Sequence, residues 1–295
     1  MTKESLVVFG DSVTWGQGHL NKTKFVNIVA DQLRLEVRMH AHSGATIGVG
    51  DAHIGRCGPE APNHYPTILQ QLAASTDDPS KTGLVVVDGG INDISVETIL
   101  NPLTSDAYLR NVTRRYCHDD MLHLLRLLLE KFESEVTRVV VTGYFPIFSH
   151  ESDFRYVLRY LADRGIAPPP SLQSDAERQA FAIRSVELAL LFWQESRSQL
   201  RRAIATLGSN RVLFADVPFS EANAMFAPEP WLFNVHFEHG RLVPEDDVIE
   251  QRHQQCVLCH LREPFKVSAC DIASAGHPNI PGALQFADAI LFVLS

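Results

Sequence analysis

The sequence predicts an α/β fold: a three-layer α/β/α sandwich around a five-stranded parallel sheet. Two observations carry that expectation. Short apolar runs alternate with longer helix-patterned stretches along the chain, and alternating β and α units give a parallel sheet with helices on both faces. The first run, Leu6-Val7-Val8-Phe9, is wholly apolar and reads as a buried strand. The flavodoxin-like strand order 2-1-3-4-5 is the natural expectation.

The predicted strands are residues 6–9, 36–40, 84–87, 138–142 and 212–215. The predicted helices are residues 24–34, 65–74, 105–132, 175–207 and 281–294. Pro281 suits the first turn of the last helix. Leu122, Leu125, Leu128 and Leu129 make one helix face directed at the sheet. Pro168-Pro169-Pro170 forms a stiff connection before residues 175–207. Residues 218–270 have no strong periodicity and are rich in Phe, Trp, Pro, His and charge. A loop of that length is usually functional or mobile. It falls between the last strand and the last helix, so it is expected to cover the carboxyl ends of the strands. The chain, residues 1–295, reads as one domain with this insertion.

Composition narrows the function classes. A chain that is 45% hydrophobic can bury a sizeable core. Its formal charge of −9 argues against a nucleic-acid surface, which needs clustered Lys and Arg. No run of about 18 apolar residues is present, so no transmembrane segment is expected. The first strand starts within five residues, with no charged n-region or apolar h-region before it. A cytoplasmic location is therefore expected, unless a leader has been removed. The oligomeric state is left open.

The five cysteines are Cys57, Cys117, Cys256, Cys259 and Cys270. In a cytoplasmic chain they are expected to be mostly free thiols. His253, Cys256, Cys259, His260 and Cys270 cluster in the insertion. A structural zinc and a disulfide such as Cys259–Cys270 stay open beside free thiols. The run Cys256-Val257-Leu258-Cys259-His260 also fits c-type haem attachment, which requires export.

In an open parallel sheet, ligands bind outside the carboxyl ends of the strands. Ser12 follows the first strand in Gly10-Asp11-Ser12. His42-Ser43-Gly44-Ala45 follows the second, and Asp88-Gly89-Gly90-Ile91-Asn92-Asp93 the third. Gly276-His277-Pro278-Asn279 begins the last helix. Far apart in sequence, these groups become neighbours in the fold. A serine at a sharp strand-to-helix turn can expose its hydroxyl and turn backbone N–H groups outward, as a nucleophile needs. Asp11 reads as a structural residue that ties the turn down. Gly16 and Gly18 do not form a phosphate cradle, because the lysine and the dinucleotide spacing are missing.

These four blocks, in this order, resemble those of the SGNH hydrolase superfamily, the GDSL-type esterases and lipases. The resemblance covers nearly the whole chain. It implies Ser12 as nucleophile and His277 as base. It implies an oxyanion hole made by the Ser12 N–H, the Gly44 N–H and the Asn92 side-chain amide. Gly282 fits the glycine after the last block. The family usually places an aspartate three residues before the histidine, and here that position is Ser274. Two readings stay open. Asp271, six residues before His277, reaches the imidazole through a longer turn, or a backbone carbonyl near Ser274 fixes it in a Ser–His dyad.

The expected activity is cleavage of carboxylic esters of small or medium acyl length through an acyl-enzyme, with no cofactor and no metal. Lipase, lysophospholipase and carbohydrate acetylesterase activities remain within that reading, with a small-molecule or lipid ester as partner. A non-catalytic binding protein that keeps the fold is the alternative of another class. Of Phe145, Phe148, Phe219, Phe226, Trp231 and Phe233, some are expected to line an acyl pocket and most to pack in the core.

Overall fold

The computed structural model describes residues 4–48, 58–172, 174–239, 241–259 and 270–295. Cys57 and His260, singled out above, lie outside them. The strands of the main sheet are β1 (Ser5–Phe9), β2 (Glu36–Met39), β3 (Thr82–Val87), β4 (Arg138–Thr142) and β5 (Val212–Ala215). They run parallel in the order β2-β1-β3-β4-β5, as the sequence predicts. In register, Val8 sits beside Val86, and Val87 beside Val141. Leu6 to Phe9 and Leu84 to Val87 are buried throughout, because both faces of a central parallel strand are covered. At the edge, β2 is only half-buried.

The helices are α1 (Ser12–Trp15), α2 (Phe25–Leu33), α3 (Ile68–Ala74), α4 (Ile91–Ile94), α5 (Val96–Leu100), α6 (Asp106–Arg114), α7 (Met121–Lys131), α8 (Phe154–Asp163), α9 (Asp175–Leu207), α10 (Ile249–Leu258) and α11 (Ile280–Leu294). Right-handed crossovers place the connection after β1 and the helix after β5 on one face of the sheet. There α2 packs on α11, with Phe25 stacked on Phe286 at 5.0 Å. The other connections cover the opposite face, where α7 and α9 pack together. A capping box of Ser174 and Glu177 starts α9, and Gly208, at φ 68°, ends it.

Two regions differ from expectation. Residues 105–132 are not one regular helix: a π-helical stretch, Arg115–Asp120, separates α6 from α7. It brings Cys117 against the third block, where a Cβ on Gly90 would stand 2.9 Å from Cys117 Sγ. Residues 218–270 are not a plain loop. They contain a hairpin of β6 (Val235–Glu238) and β7 (Arg241–Pro244), followed by α10. Four-residue strands and a short charged helix leave too little periodicity to read.

The cysteines also depart from the expected free thiols. Cys256 and Cys270 form a disulfide, with Cα atoms 5.9 Å apart. Cys259, just past the end of α10, is disulfide-bonded too, so Cys270 pairs with Cys256 rather than with Cys259. Cys117 is the free one among the described residues, and it is buried.

Candidate active site

The Gly10–Ser12 turn is built from the sheet outward. Gly10 has φ +136°, and a Cβ there would meet Asp88 Oδ1 at 1.9 Å. Only glycine fits. The Gly10 N–H donates to Gln71 Oε1, and Gln71 Nε2 donates back to the Gly10 carbonyl, both at 2.9 Å. Asp11 caps α1 by accepting from the Val13 N–H at 2.8 Å. Its other oxygen accepts from the Tyr144 hydroxyl at 2.9 Å. Asp88 accepts from the Asp11 N–H (2.8 Å), the Thr14 N–H (3.1 Å) and the Thr14 hydroxyl (2.9 Å). Burial, then the charge of Asp88, holds Asp11 well above the usual carboxylate range. Burial lifts Asp88 as well. Burial of both carboxyls disfavours ionising the two together.

The second and third blocks are tied to this turn. The Ile91 N–H donates to the same Tyr144 oxygen at 3.2 Å. The Ile47 N–H donates to Asp93, 3.0 Å from Oδ2, and burial lifts that carboxyl to about 7. Gly44 has φ +81°, and a Cβ there would stand 2.4 Å from the Asn63 nitrogen. Asn92 Nδ2 donates one hydrogen to the Ala45 carbonyl at 3.1 Å, which orients the amide and leaves its second hydrogen. Among the described residues no hydrogen bond ends on the N–H of Ser12 or Gly44.

His277 comes from the far end of the chain. Residues 231–233 of the insertion pair with its turn through the main chain. Phe233 N–H donates to the His277 carbonyl (2.8 Å), Gly276 N–H to the Phe233 carbonyl (2.9 Å), and Asn279 N–H to the Trp231 carbonyl (2.8 Å). A Cβ on Gly282 would stand 2.2 Å from the Trp231 carbonyl oxygen. His19 Nε2–H donates to the Pro278 carbonyl at 2.8 Å, linking the loop after Ser12 to this turn.

The Ser12 hydroxyl and His277 Nε2 are 2.7 Å apart. Nδ1 is buried and makes no hydrogen bond among the described residues. The backbone of Ser274 and Ala275 raises the proton affinity of the ring. In the tautomer with its proton on Nδ1, the Ser12 hydroxyl donates to Nε2. Burial outweighs that backbone contribution, and the Arg252 charge adds to it, so His277 is pushed down to about 4.

Asp271 is turned elsewhere: its carboxylate lies 3.0 Å from His253 Nδ1, on α10. Of the late cluster, Cys256 and Cys270 are joined and His253 is paired to Asp271, while His260 lies outside the described residues. No group of metal-ligating side chains forms among the described residues.

Ser12, Gly44, Asn92 and His277 line one cleft of about 260 Å³. Phe145, Ile147, Ile272 and Ala275 form an apolar wall. The Arg164–Glu97 ion pair, at 2.6 Å, forms a polar end. Of the six aromatics weighed above, Phe145 is the one in this lining. Phe148, Phe219 and Phe233 are buried in packing instead. Such a cleft places a hydroxyl, a base and N–H donors around one reacting carbon. Sequence reasoning missed Tyr144, Gln71, Glu60, Asp246 and Arg252. Each is a lone polar residue within an otherwise ordinary stretch, and no motif marks it.

Residues 6–160 match the GDSL-like Lipase/Acylhydrolase family. Among solved structures, the chain is similar to the lipase Lip_vut3 from a goat rumen metagenome. The identity is 13% and the TM-score 0.50, over 99% of this chain and 97% of that one. It is also similar to Est24, a carbohydrate acetylesterase from Sinorhizobium meliloti, at 12% identity and a TM-score of 0.48, over 99% and 98% of the two chains. No curated protein matches the chain in sequence. No helix among the described residues is long and apolar enough to cross a membrane.

Proposed function

The chain belongs to the GDSL-like lipase/acylhydrolase family, and from that premise we propose that Ser12 and His277 cleave small or medium acyl esters as a dyad. Members of the family are carboxylic ester hydrolases, and so is this chain. One observation carries the finer reading: the 2.7 Å contact of Ser12 with His277 Nε2, in the cleft that Gly44 and Asn92 also line.

Ser12 Oγ attacks the ester carbonyl carbon while Nε2 takes its proton. The oxyanion is received by the Ser12 and Gly44 N–H groups and the remaining Asn92 amide hydrogen, each donor worth about 3 kcal/mol of barrier. The imidazolium then protonates the departing alkoxide. Water, deprotonated by the same nitrogen, attacks the acyl-enzyme, and Nε2 returns that proton to Ser12 Oγ as the acid departs. The backbone of Ser274 and Ala275 supports protonation of the ring in place of a carboxylate, and Asp271 takes no part. The cleft volume and its apolar wall support a short acyl chain. The Cys256–Cys270 disulfide supports an oxidising compartment rather than a cytoplasmic one.

Turnover of a p-nitrophenyl ester series by wild type and Ser12→Ala tests the reading. Wild type is expected to favour the shorter chains, and Ser12→Ala to lose about 10⁶-fold in kcat. Equal turnover by the two proteins, or none by wild type at any chain length, contradicts it.

A further inference from the structure

Ser274 stands three residues before His277, where the resemblance calls for aspartate. Its hydroxyl donates to Asp246 Oδ2. Asp246 belongs to the insertion, two residues beyond the end of β7. Arg252 of α10 grips both of its oxygens, Nη2 at 2.5 Å and Nη1 at 3.2 Å. Both side chains are 0% exposed. The other donors of Arg252 reach Glu60 Oε1 at 3.2 Å and the Asp271 carbonyl at 2.8 Å. Glu60 in turn accepts from Trp15 Nε1 (2.7 Å), Gln17 Nε2 (3.0 Å) and the Gly18 N–H (2.9 Å).

One buried guanidinium thus spans the loop after the nucleophile and the turn before the base. The two loops touch there as well. A Cβ on Gly18 would stand 2.9 Å from Ser274 Cβ and 3.2 Å from Asp246 Cβ. Charges this dry are costly to bury unless every partner is in place. That makes the network an all-or-none clamp rather than a set of adjustable contacts.

We propose that Asp246, gripped by Arg252, is a positioning residue for His277. Acting through the Ser274 hydroxyl, it fixes the turn of residues 274–277. It thereby fixes the approach of Nε2 to Ser12, in place of a carboxylate bonded to the imidazole. The proposal rests on the reading of Ser12 and His277 as nucleophile and base.

Ser274→Ala removes the hydroxyl link and leaves the Arg252–Asp246 pair. It is expected to lower kcat by about 10²-fold, the effect of misplacing a reacting group by about 1 Å, with KM within about twofold of wild type. Asp246→Asn is expected to lose at least as much. Moving the carboxylate, with Ser274→Asp added to Asp246→Asn, is expected to recover most of that loss. A role confined to folding predicts wild-type kcat for Ser274→Ala and no recovery in the double variant; either result overturns the proposal. If Asp246→Asn does not fold, Ser274→Ala alone decides.

Labelling by a fluorophosphonate separates this proposal from the reading beneath it. The extent of labelling, lost in Ser12→Ala, reports the nucleophile, and its rate reports the positioning. An unlabelled wild type overturns the Ser12 reading. Full labelling, at equal rates in wild type and Ser274→Ala, overturns the positioning proposal alone.

Discussion

Ser12 follows a strand whose residues are all buried, and its turn is fixed by Asp11, Asp88, Gln71 and Tyr144. All four lie on the sheet, the first helical connections or just beyond β4. His277 is held instead by parts of the insertion: main-chain pairing with residues 231–233, and the Asp246–Arg252 pair. The Ser12 half of the site is therefore scaffolded by the fold itself. The His277 half is scaffolded by the insertion between β5 and α11. Changes within residues 218–270 that spare Arg252, which also reaches Glu60 behind the loop after Ser12, are expected to act on His277 while leaving the Ser12 turn intact.

The comparison can be sharpened by removing one group at a time. Asn92→Ala acts on the sheet side. It is expected to cost about 10²–10³-fold in kcat, the loss of one oxyanion donor, with thermal stability near that of wild type. A loss below about tenfold in a kinetic assay would remove Asn92 from the oxyanion hole.

The base side has a pH signature. His277 is pushed down to about 4, mainly by burial. Only the neutral imidazole can accept the Ser12 proton. The kcat/KM profile should therefore be independent of His277 from neutral pH down to about 4, and fall about tenfold per pH unit below that. A carboxylate bonded to Nδ1 would favour the imidazolium and move this limb up, above 6.5. A limb there would break the contrast between the two halves.

The smallest effect belongs to Asp271. Its carboxylate faces His253, so Asp271→Asn is expected to keep kcat within about tenfold of wild type. A carboxylate bonded directly to the base would be worth ~10⁴-fold. Steady-state kinetics of the purified variant decides between the two.

The same division explains what was legible in the sequence. The strand order and the Ser12, Gly44 and Asn92 blocks follow from local features: apolar runs, sharp glycine turns, and polar residues placed just after strands. Asp11 could be read as a turn anchor because its partner, the Val13 N–H, is two residues away. The support of His277 could not be read. Arg252 sits in Gln251-Arg252-His253-Gln254-Gln255, a stretch that looks like a solvated helix face, yet its side chain is 0% exposed. Glu60 meets Arg252 across 192 residues, and Asp246 meets Ser274 across 28. No periodicity encodes a pairing at those separations. The disulfide partner stayed open in the sequence for a related reason. Whether Cys256 or Cys259 meets Cys270 depends on the phase and the end of α10, and a charged helix of this length shows little of either in sequence.

The central claim is that Ser12 becomes acylated with His277 as its base. The most direct measurement is intact-mass analysis with peptide mapping, after rapid acid quench of wild type turning over a short-chain p-nitrophenyl ester. One acyl group per chain is expected, on the peptide that carries Ser12, and none in Ser12→Ala. Turnover without an adduct on that peptide, or an adduct that persists in Ser12→Ala, would contradict the account.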